Sequence, residues 1–211
     1  MKQSKTMLLI FPALMLLFAS CHKDTIKPNK EATEYFPNTV GNYWEYEVYD
    51  SSQIRDHPNF PRQYNVKIRI TGITKLVDNK DATVWNYEYP WGNEINYYRI
   101  ENDTIKVYDT VRAGGVAYIP FPNIVFIQPF FNGQEWKSNA LWTDSFYVKK
   151  DTIEPFKNVF QIRRKYIGQQ TYYHTIYWFS PQVGFVKIYR DEINMGIRTS
   201  EIWTLKSYQL K

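Results

Sequence analysis

Hydrophobic and polar residues alternate with a period of two along most of the chain. Residues 64–70, YNVKIRI, put Tyr64, Val66, Ile68 and Ile70 on one side and Asn65, Lys67 and Arg69 on the other. That is the pattern of a strand with one buried face. Gly72 follows and the phase shifts, which predicts a bulge or bend. In residues 43–49, Trp44, Tyr46 and Val48 share one face, and Glu45 and Glu47 the other. Further strands are predicted near 83–90, 94–101, 103–109, 144–150, 157–167, 171–180, 183–190 and 197–208. Turn signals separate them: Asp78-Asn79, Asn102-Asp103, Gly168, Pro181 and Asn194 to Gly196. Residues 111–135 are apolar but broken by Gly114, Gly115, Pro120, Pro122 and Pro129. They read as a long connection packed over the sheet, with one short strand at 123–128. No amphipathic helical period of ten or more residues follows the leader. The expected fold is all-β: an antiparallel meander forming a strongly curved sheet, a half-barrel or a sandwich.

The N-terminus breaks this pattern. Lys2 and Lys5 precede an apolar run at 7–18, MLLIFPALMLLF, which ends in Ala19, Ser20 and Cys21. The run is too short to span a bilayer, which takes about 20 apolar residues. Positive start, apolar middle and small-residue end are the parts of a secretory leader. LFASC resembles a bacterial lipobox, with Phe18 where Leu is usual. The resemblance implies cleavage before Cys21 and acylation of its thiol, and acyl chains at about 0.8 kcal/mol per buried CH₂ would anchor the chain. Residues 22–34, HKDTIKPNKEATE, are polar, contain Pro28 and have no apolar period. They read as a flexible tether. Lys23-Asp24 is similar to surface-export signals of Bacteroidota lipoproteins, although a charged tether explains it more simply. The expected organisation is a leader at 1–20, an acylated Cys and tether at 21–34, and one β domain at 35–211.

Composition narrows the function classes. The chain has 211 residues, with 18 Tyr, 13 Phe and 7 Trp, a bias toward pleated, half-buried surfaces. One Cys and three His exclude a disulfide framework and leave little for a Cys/His metal cluster. Removing Lys2 and Lys5 with the leader lowers the net charge from +5 to +3, so no nucleic-acid partner is expected.

Pro37-x3-Gly41-x2-Trp44 recurs as Pro129-x3-Gly133-x2-Trp136, and Asn65 to Arg69 is echoed in Asn158 to Arg163. Pro90, Tyr98, Arg99 and Glu101 match Pro181, Tyr189, Arg190 and Glu192 one position short of the first offset. These matches suggest two related halves. The same segments carry a family resemblance. YFPNTVGNYWEYEV, QPFFNGQEWKS and WFSPQVGFVKIYRD resemble the opening, central and late segments of uncharacterised Bacteroidota envelope lipoproteins. Those segments read P-x-x-x-G-N-x-W-x-Y, P-x-x-x-G-x-x-W and aromatic-Pro-x-x-Gly-x-Val-Lys. The resemblance implies an antiparallel β domain on a lipid anchor and supplies no catalytic residues.

Catalytic motifs are absent: there is no G-x-S-x-G, G-x-G-x-x-G, Walker loop or H-E-x-x-H. His57 lies in the Pro-flanked segment DHPNFP, and His174 in a strand without a Ser or Cys context. Glu45 and Glu47, one strand repeat apart, have a spacing a glycosidase could use, but alternating charge is what a solvated strand face carries. Asp78-Asn79-Lys80-Asp81 lacks the Gly and distal Glu of a calcium loop and reads as a turn. Alternation sends Arg163, Arg164 and Lys165 to opposite faces, which argues against a phosphate patch.

Aromatics remain as candidate ligand contacts: Trp85 on a face with Tyr87 and Tyr89, Trp91 in a Pro-Trp-Gly turn, Trp142, and Trp178. The expectation is a non-enzymatic binding or assembly module, lipid-anchored to the bacterial outer membrane, without cofactor or metal. Its partner would be an envelope protein, a glycan or a lipid. A carrier of an apolar ligand in a half-barrel groove is the second reading, and a hydrolase using strand carboxylates the third.

Overall fold

The computed structural model describes residues 35–211, apart from 56, 110, 114–115, 119–121, 140–142 and 169–170. The leader, Cys21, the tether and Trp142 therefore lie outside the described residues. Among the described residues, fourteen strands follow one another. They are β1 (Tyr43–Asp50), β2 (Gln63–Lys75), β3 (Asp81–Tyr89), β4 (Gly92–Glu101), β5 (Thr104–Asp109), β6 (Val111–Ala113), β7 (Val116–Tyr118), β8 (Ile124–Ile127), β9 (Glu135–Asn139), β10 (Thr143–Ile153), β11 (Phe156–Ile167), β12 (Thr171–Ser180), β13 (Gly184–Asn194) and β14 (Ile197–Gln209).

Twelve of these strands form a single antiparallel sheet in the order β8-β5-β4-β3-β2-β1-β14-β13-β12-β11-β10-β9. The sheet curls into a nearly closed barrel, so the sandwich alternative does not apply. The β1/β14 seam is a backbone ladder from Tyr43–Gln209 to Asp50–Glu201. Side chains bridge the opposite seam: Trp136 Nε1 donates to the Val125 carbonyl (3.0 Å) and Gln134 Nε2 to the Ile127 carbonyl (3.1 Å). The connection expected over 111–135 also holds the β6/β7 hairpin and the start of β9, which its Gly and Pro residues masked. The phase shift at Gly72 is a register shift between Ile70 and Gly72.

Both copies of the Pro-x3-Gly motif build the same turn. Gly41 N donates to the Ile70 carbonyl and Ile70 N to that of Asn42; Gly133 N donates to the Val148 carbonyl and Val148 N to that of Gln134. The two glycines have φ of 96° and 83°, a region where a Cβ is penalised. The motif thus starts β1 against β2 and β9 against β10. The Pro90 and Pro181 matches do not follow the same symmetry. They fall at the β3/β4 and β12/β13 turns, which the alternating strand directions place at opposite ends of the barrel.

A ring of twelve strands is too wide for its own side chains to fill. The end where β1 starts is closed by residues of the entering chain. Phe36 is fully buried and its ring meets Trp85 and Tyr98 on one wall and Phe179 and Phe185 on the other, with centroids 5.7–6.0 Å apart. Tyr35 packs on Phe130 and Phe179 beside it. Burial pushes the Tyr35 hydroxyl pKa up to about 12, so it stays protonated in its contact with the Phe130 amide.

Candidate functional site

Above this aromatic floor the barrel is hollow. The cavity measures about 1020 Å³, at the upper end of the roughly 300–1,000 Å³ of small-molecule pockets. Its wall comes from both halves of the sheet. Trp44, Ile68, Trp85, Val107, Phe126, Phe185, Ile188 and Trp203 line the lower part, and Glu94, Asn96, Asp109, Asn123, Arg164, Arg190 and Glu192 the upper. The β4–β5 ladder ends at the Asn96–Asp109 pair. Asn93, Glu94 and Ile95 beyond it are exposed, so the cavity reaches solvent at that level.

The division follows from the strands. Each alternates, and the inward positions change character toward the mouth. On β11, Phe160 and Ile162 give way to Arg164; on β13, Ile188 gives way to Arg190 and Glu192; on β5, Ile105 and Val107 give way to Asp109. β4 and β14 run the other way and carry their polar residues first: Glu94 and Asn96 precede Tyr98, and Glu201 precedes Trp203. Register aligns Arg164, Thr175, Arg190 and Glu201 in one lateral row.

Two guanidinium groups anchor this wall. Arg164 Nε lies 2.9 Å from Asp144 Oδ2, with side-chain exposures of 6% and 0%. Burial pushes the Asp144 carboxyl pKa up against the opposing pull of Arg164. Arg190 lies deep in the barrel, yet 38% of its side-chain surface is open to the lumen. Its Nη1 is 3.6 Å from Glu201 Oε2. Glu201 is held more closely by Trp203 Nε1 (2.9 Å) and the Tyr64 hydroxyl (3.2 Å). Across the cavity, partial desolvation raises the pKa values of Asp109 and, at the solvent-exposed mouth, of Glu94, against the pull of Arg190 on both and with smaller repulsion from neighbouring carboxylates. Asp109 accepts a hydrogen bond from the Asn123 amide, and Glu192 accepts one from the Thr175 hydroxyl (3.0 Å).

The tryptophans singled out in the sequence fall in three different places. Trp85 is buried at the base of the cavity, stacked on Trp44 (4.9 Å) on one side and Tyr98 (4.1 Å) on the other. Its Nε1 donates to Asn38 Oδ1. Trp91 is half-buried between His57 (4.5 Å) and Tyr89 (5.2 Å), with Phe60 and Tyr64 at its edges. It pins the β1–β2 loop. Trp178 is on the outer face, where Nε1 donates to Asp151 Oδ2 and Lys187 Nζ sits over the ring. The rings of Trp85 and Trp91 are covered by other rings, and Trp178 faces away from the lumen. Of these three, only Trp85 lines the cavity. Glu45 and Glu47 also face outward, bonded to Ser207 and to Gln63 and Lys206. The Asp78 turn is tied to Arg99, and among the described residues no group of three His, Cys, Asp or Glu could hold a metal.

Sequence reasoning missed Arg164, Arg190, Glu192 and Asp109. A signal existed: each is a charged residue on the apolar parity of its strand.

No protein-family model matches the chain. None of the curated proteins matches it. Among solved structures, it is similar to a presumed lipoprotein of Parabacteroides distasonis, at 13% identity and a TM-score of 0.44, over 83% of this chain and 98% of that one. It is also similar to a presumed exported protein with a YmcC-like fold from Bacteroides fragilis, at 11% identity and a TM-score of 0.46, with the same coverages.

Proposed function

We propose that the chain is a cell-envelope lipoprotein, acylated at Cys21, whose barrel binds a small molecule with apolar and polar parts and does not transform it. The cavity of about 1020 Å³, apolar below and charged above, carries this reading. A wholly apolar ligand fits it less well. Hydrocarbon against Arg190, Glu94 and Glu192 would strip ionised groups of solvent without replacing their partners. The polar wall favours a ligand whose head reaches the mouth while its body lies on Ile188, Trp203 and Phe126. The leader and LFASC motif support the lipid anchor.

Native mass spectrometry of the chain from Cys21 onward, with Cys21→Ser to prevent acylation, tests the binding. The expected result from a detergent-free bacterial preparation is a non-covalent adduct lost on activation and absent from a lumen-filling Ile188→Trp variant. A clean apo mass for the parent protein would count against it. Loss of metabolic palmitate labelling in Cys21→Ala would support the anchor.

A further inference from the structure

Building on the lumen-binding and lipid-anchor readings, we propose that the rim of the cavity mouth docks on an anionic lipid bilayer, where an amphiphilic ligand passes between membrane and lumen. Apolar side chains stand exposed around the end where the cavity opens. Ile54 lies on the β1–β2 loop, which Ser51 ties to Ser200 at that end. Ile95 lies near the start of β4, Ile167 at the end of β11, and Met195 and Ile197 at the β13/β14 turn. Ile54, Ile167 and Met195 are 62%, 67% and 80% exposed. Met195 is the clearest case. It forms a two-residue hairpin turn with Gly196, at φ of 49° and 82°, and the first position of such a turn ordinarily takes Asn, Asp or Gly. A methionine there serves neither the turn nor the core.

Charge selects the partner. Basic residues flank the apolar ones: Arg55 follows Ile54, Lys165 comes two residues before Ile167, and Arg198 follows Ile197. Arg55, Lys165 and the exposed Arg62 of the β1–β2 loop have no ion-pair partner within 4.0 Å among the described residues. Arg55 and Arg62 donate instead to backbone carbonyls of their own loop. The outer-wall carboxylates described at this end are paired, Glu88 with Arg69 and Asp191 with Arg198; Glu94 and Glu192 belong to the lumen wall. Apolar side chains are exposed at the closed end too, Ile73, Val77 and Phe131 among them. There, however, the lysines near Ile73 and Val77 are taken, Lys75 by Asp81 and Lys80 by Glu101. Separate apolar tips, each beside a cation, suit a surface that receives side chains singly and carries negative head groups. The tether permits this orientation. It joins the barrel at Tyr35 on the closed end, with 13 residues between Tyr35 and Cys21. That length reaches about 45 Å at full extension. A strand of 11 residues such as β13 is about 36 Å long, so the mouth can face the bilayer that holds the acyl group.

The test floats the mature chain with Cys21→Ser on phosphatidylcholine vesicles with and without phosphatidylglycerol. The expected result is binding that weakens about tenfold when phosphatidylglycerol is left out. Ile167→Ser/Met195→Ser should weaken it about tenfold or more, at an unchanged melting temperature, because both side chains are exposed. The closed-end variant Ile73→Ser/Val77→Ser/Phe131→Ser should bind as the parent does. No binding, equal binding to both vesicles, or loss in the closed-end variant alone would overturn the docking surface. Ile188→Trp, with its lumen filled, should float like the parent; loss of flotation there would mean that the lumen and not the rim holds lipid. N-phenyl-1-naphthylamine serves as a neutral fluorescent probe of the lumen. Its transfer from vesicles into the protein should slow in Ile167→Ser/Met195→Ser in step with docking, and transfer at the parent rate would overturn the exchange role. Failure of the probe to bind, or binding unaffected by Ile188→Trp, would instead overturn the lumen reading, whatever the vesicles show.

Discussion

Trp136 Nε1 on β9 donates to the carbonyl of Val125 on β8, 3.0 Å away, and so spans a seam where the described residues form no backbone ladder. The indole also stacks on Phe146 at 4.7 Å. Trp136→Phe keeps a ring on Phe146 and removes the donor. It should cost about 1 kcal/mol, the worth of one hydrogen bond, and speed amide exchange in β8 and β9. Exchange in β1 and β14 should not change, because the ladder there closes the other seam. Uniform acceleration in all four strands would show that the seam does not open independently.

The Arg164–Asp144 pair sits at the rim of the lumen with almost no exposed surface. Removing one partner leaves a buried charge without its counterion. Arg164→Met should therefore destabilise the protein by about 3 kcal/mol in urea unfolding. The double variant Arg164→Met/Asp144→Leu should recover most of that loss, because an apolar pair needs no compensation. A double variant as unstable as the single one would contradict this account.

Partial desolvation raises the pKa values of Glu94, at the solvent-exposed mouth, and of Asp109, against the pull of Arg190. A carboxyl group with a raised folded pKa favours folding when protonated, and this contribution disappears as the pH rises through the raised value. Glu94→Gln never ionises. It should unfold at a higher temperature than the parent protein at pH 8, with the difference vanishing below the ordinary carboxylate range. Glu101 behaves oppositely. Lys106 and Lys80 hold it down to about 2, so its contribution is present at neutral pH and is lost as the pH falls toward that value. A thermal-stability profile of Glu94→Gln offset equally at every pH would exclude the burial explanation.

Trp91 is sandwiched by His57 and Tyr89, which makes it a fastener of the β1–β2 loop. Trp91→Ala should cost about 2 kcal/mol, less than a fully buried indole, and should expose Arg55 and Arg62 to trypsin. Trp91→Phe should restore most of the resistance. If Trp91→Ala instead abolished probe binding with the loop still protected, Trp91 would be a ligand contact.

Part of this organisation was legible in the sequence because it is local. Alternation at 64–70 defined β2, Asn102-Asp103 marked the β4/β5 hairpin, and Gly41 and Gly133 marked turns that need positive φ. The start of β9 was not legible. Its five residues have too short a period to stand out, and Trp136 read only as a repeat of Trp44. The tryptophans Trp85, Trp91 and Trp178 could not be sorted, since alternation names two faces without saying which one encloses a cavity.

The chain by itself determined that strands would form, where they would turn, and that a lipobox-like Cys would precede them. Those properties depend on neighbours a few residues apart. The cavity was decided only by tertiary structure. In antiparallel strands, the charged inward positions come late in β5, β11 and β13 and early in β4 and β14. They look scattered along the chain. Only the sheet order brings Glu94, Asp109, Arg164, Arg190 and Glu192 to the same end of one barrel, while the Phe36 plug closes the other.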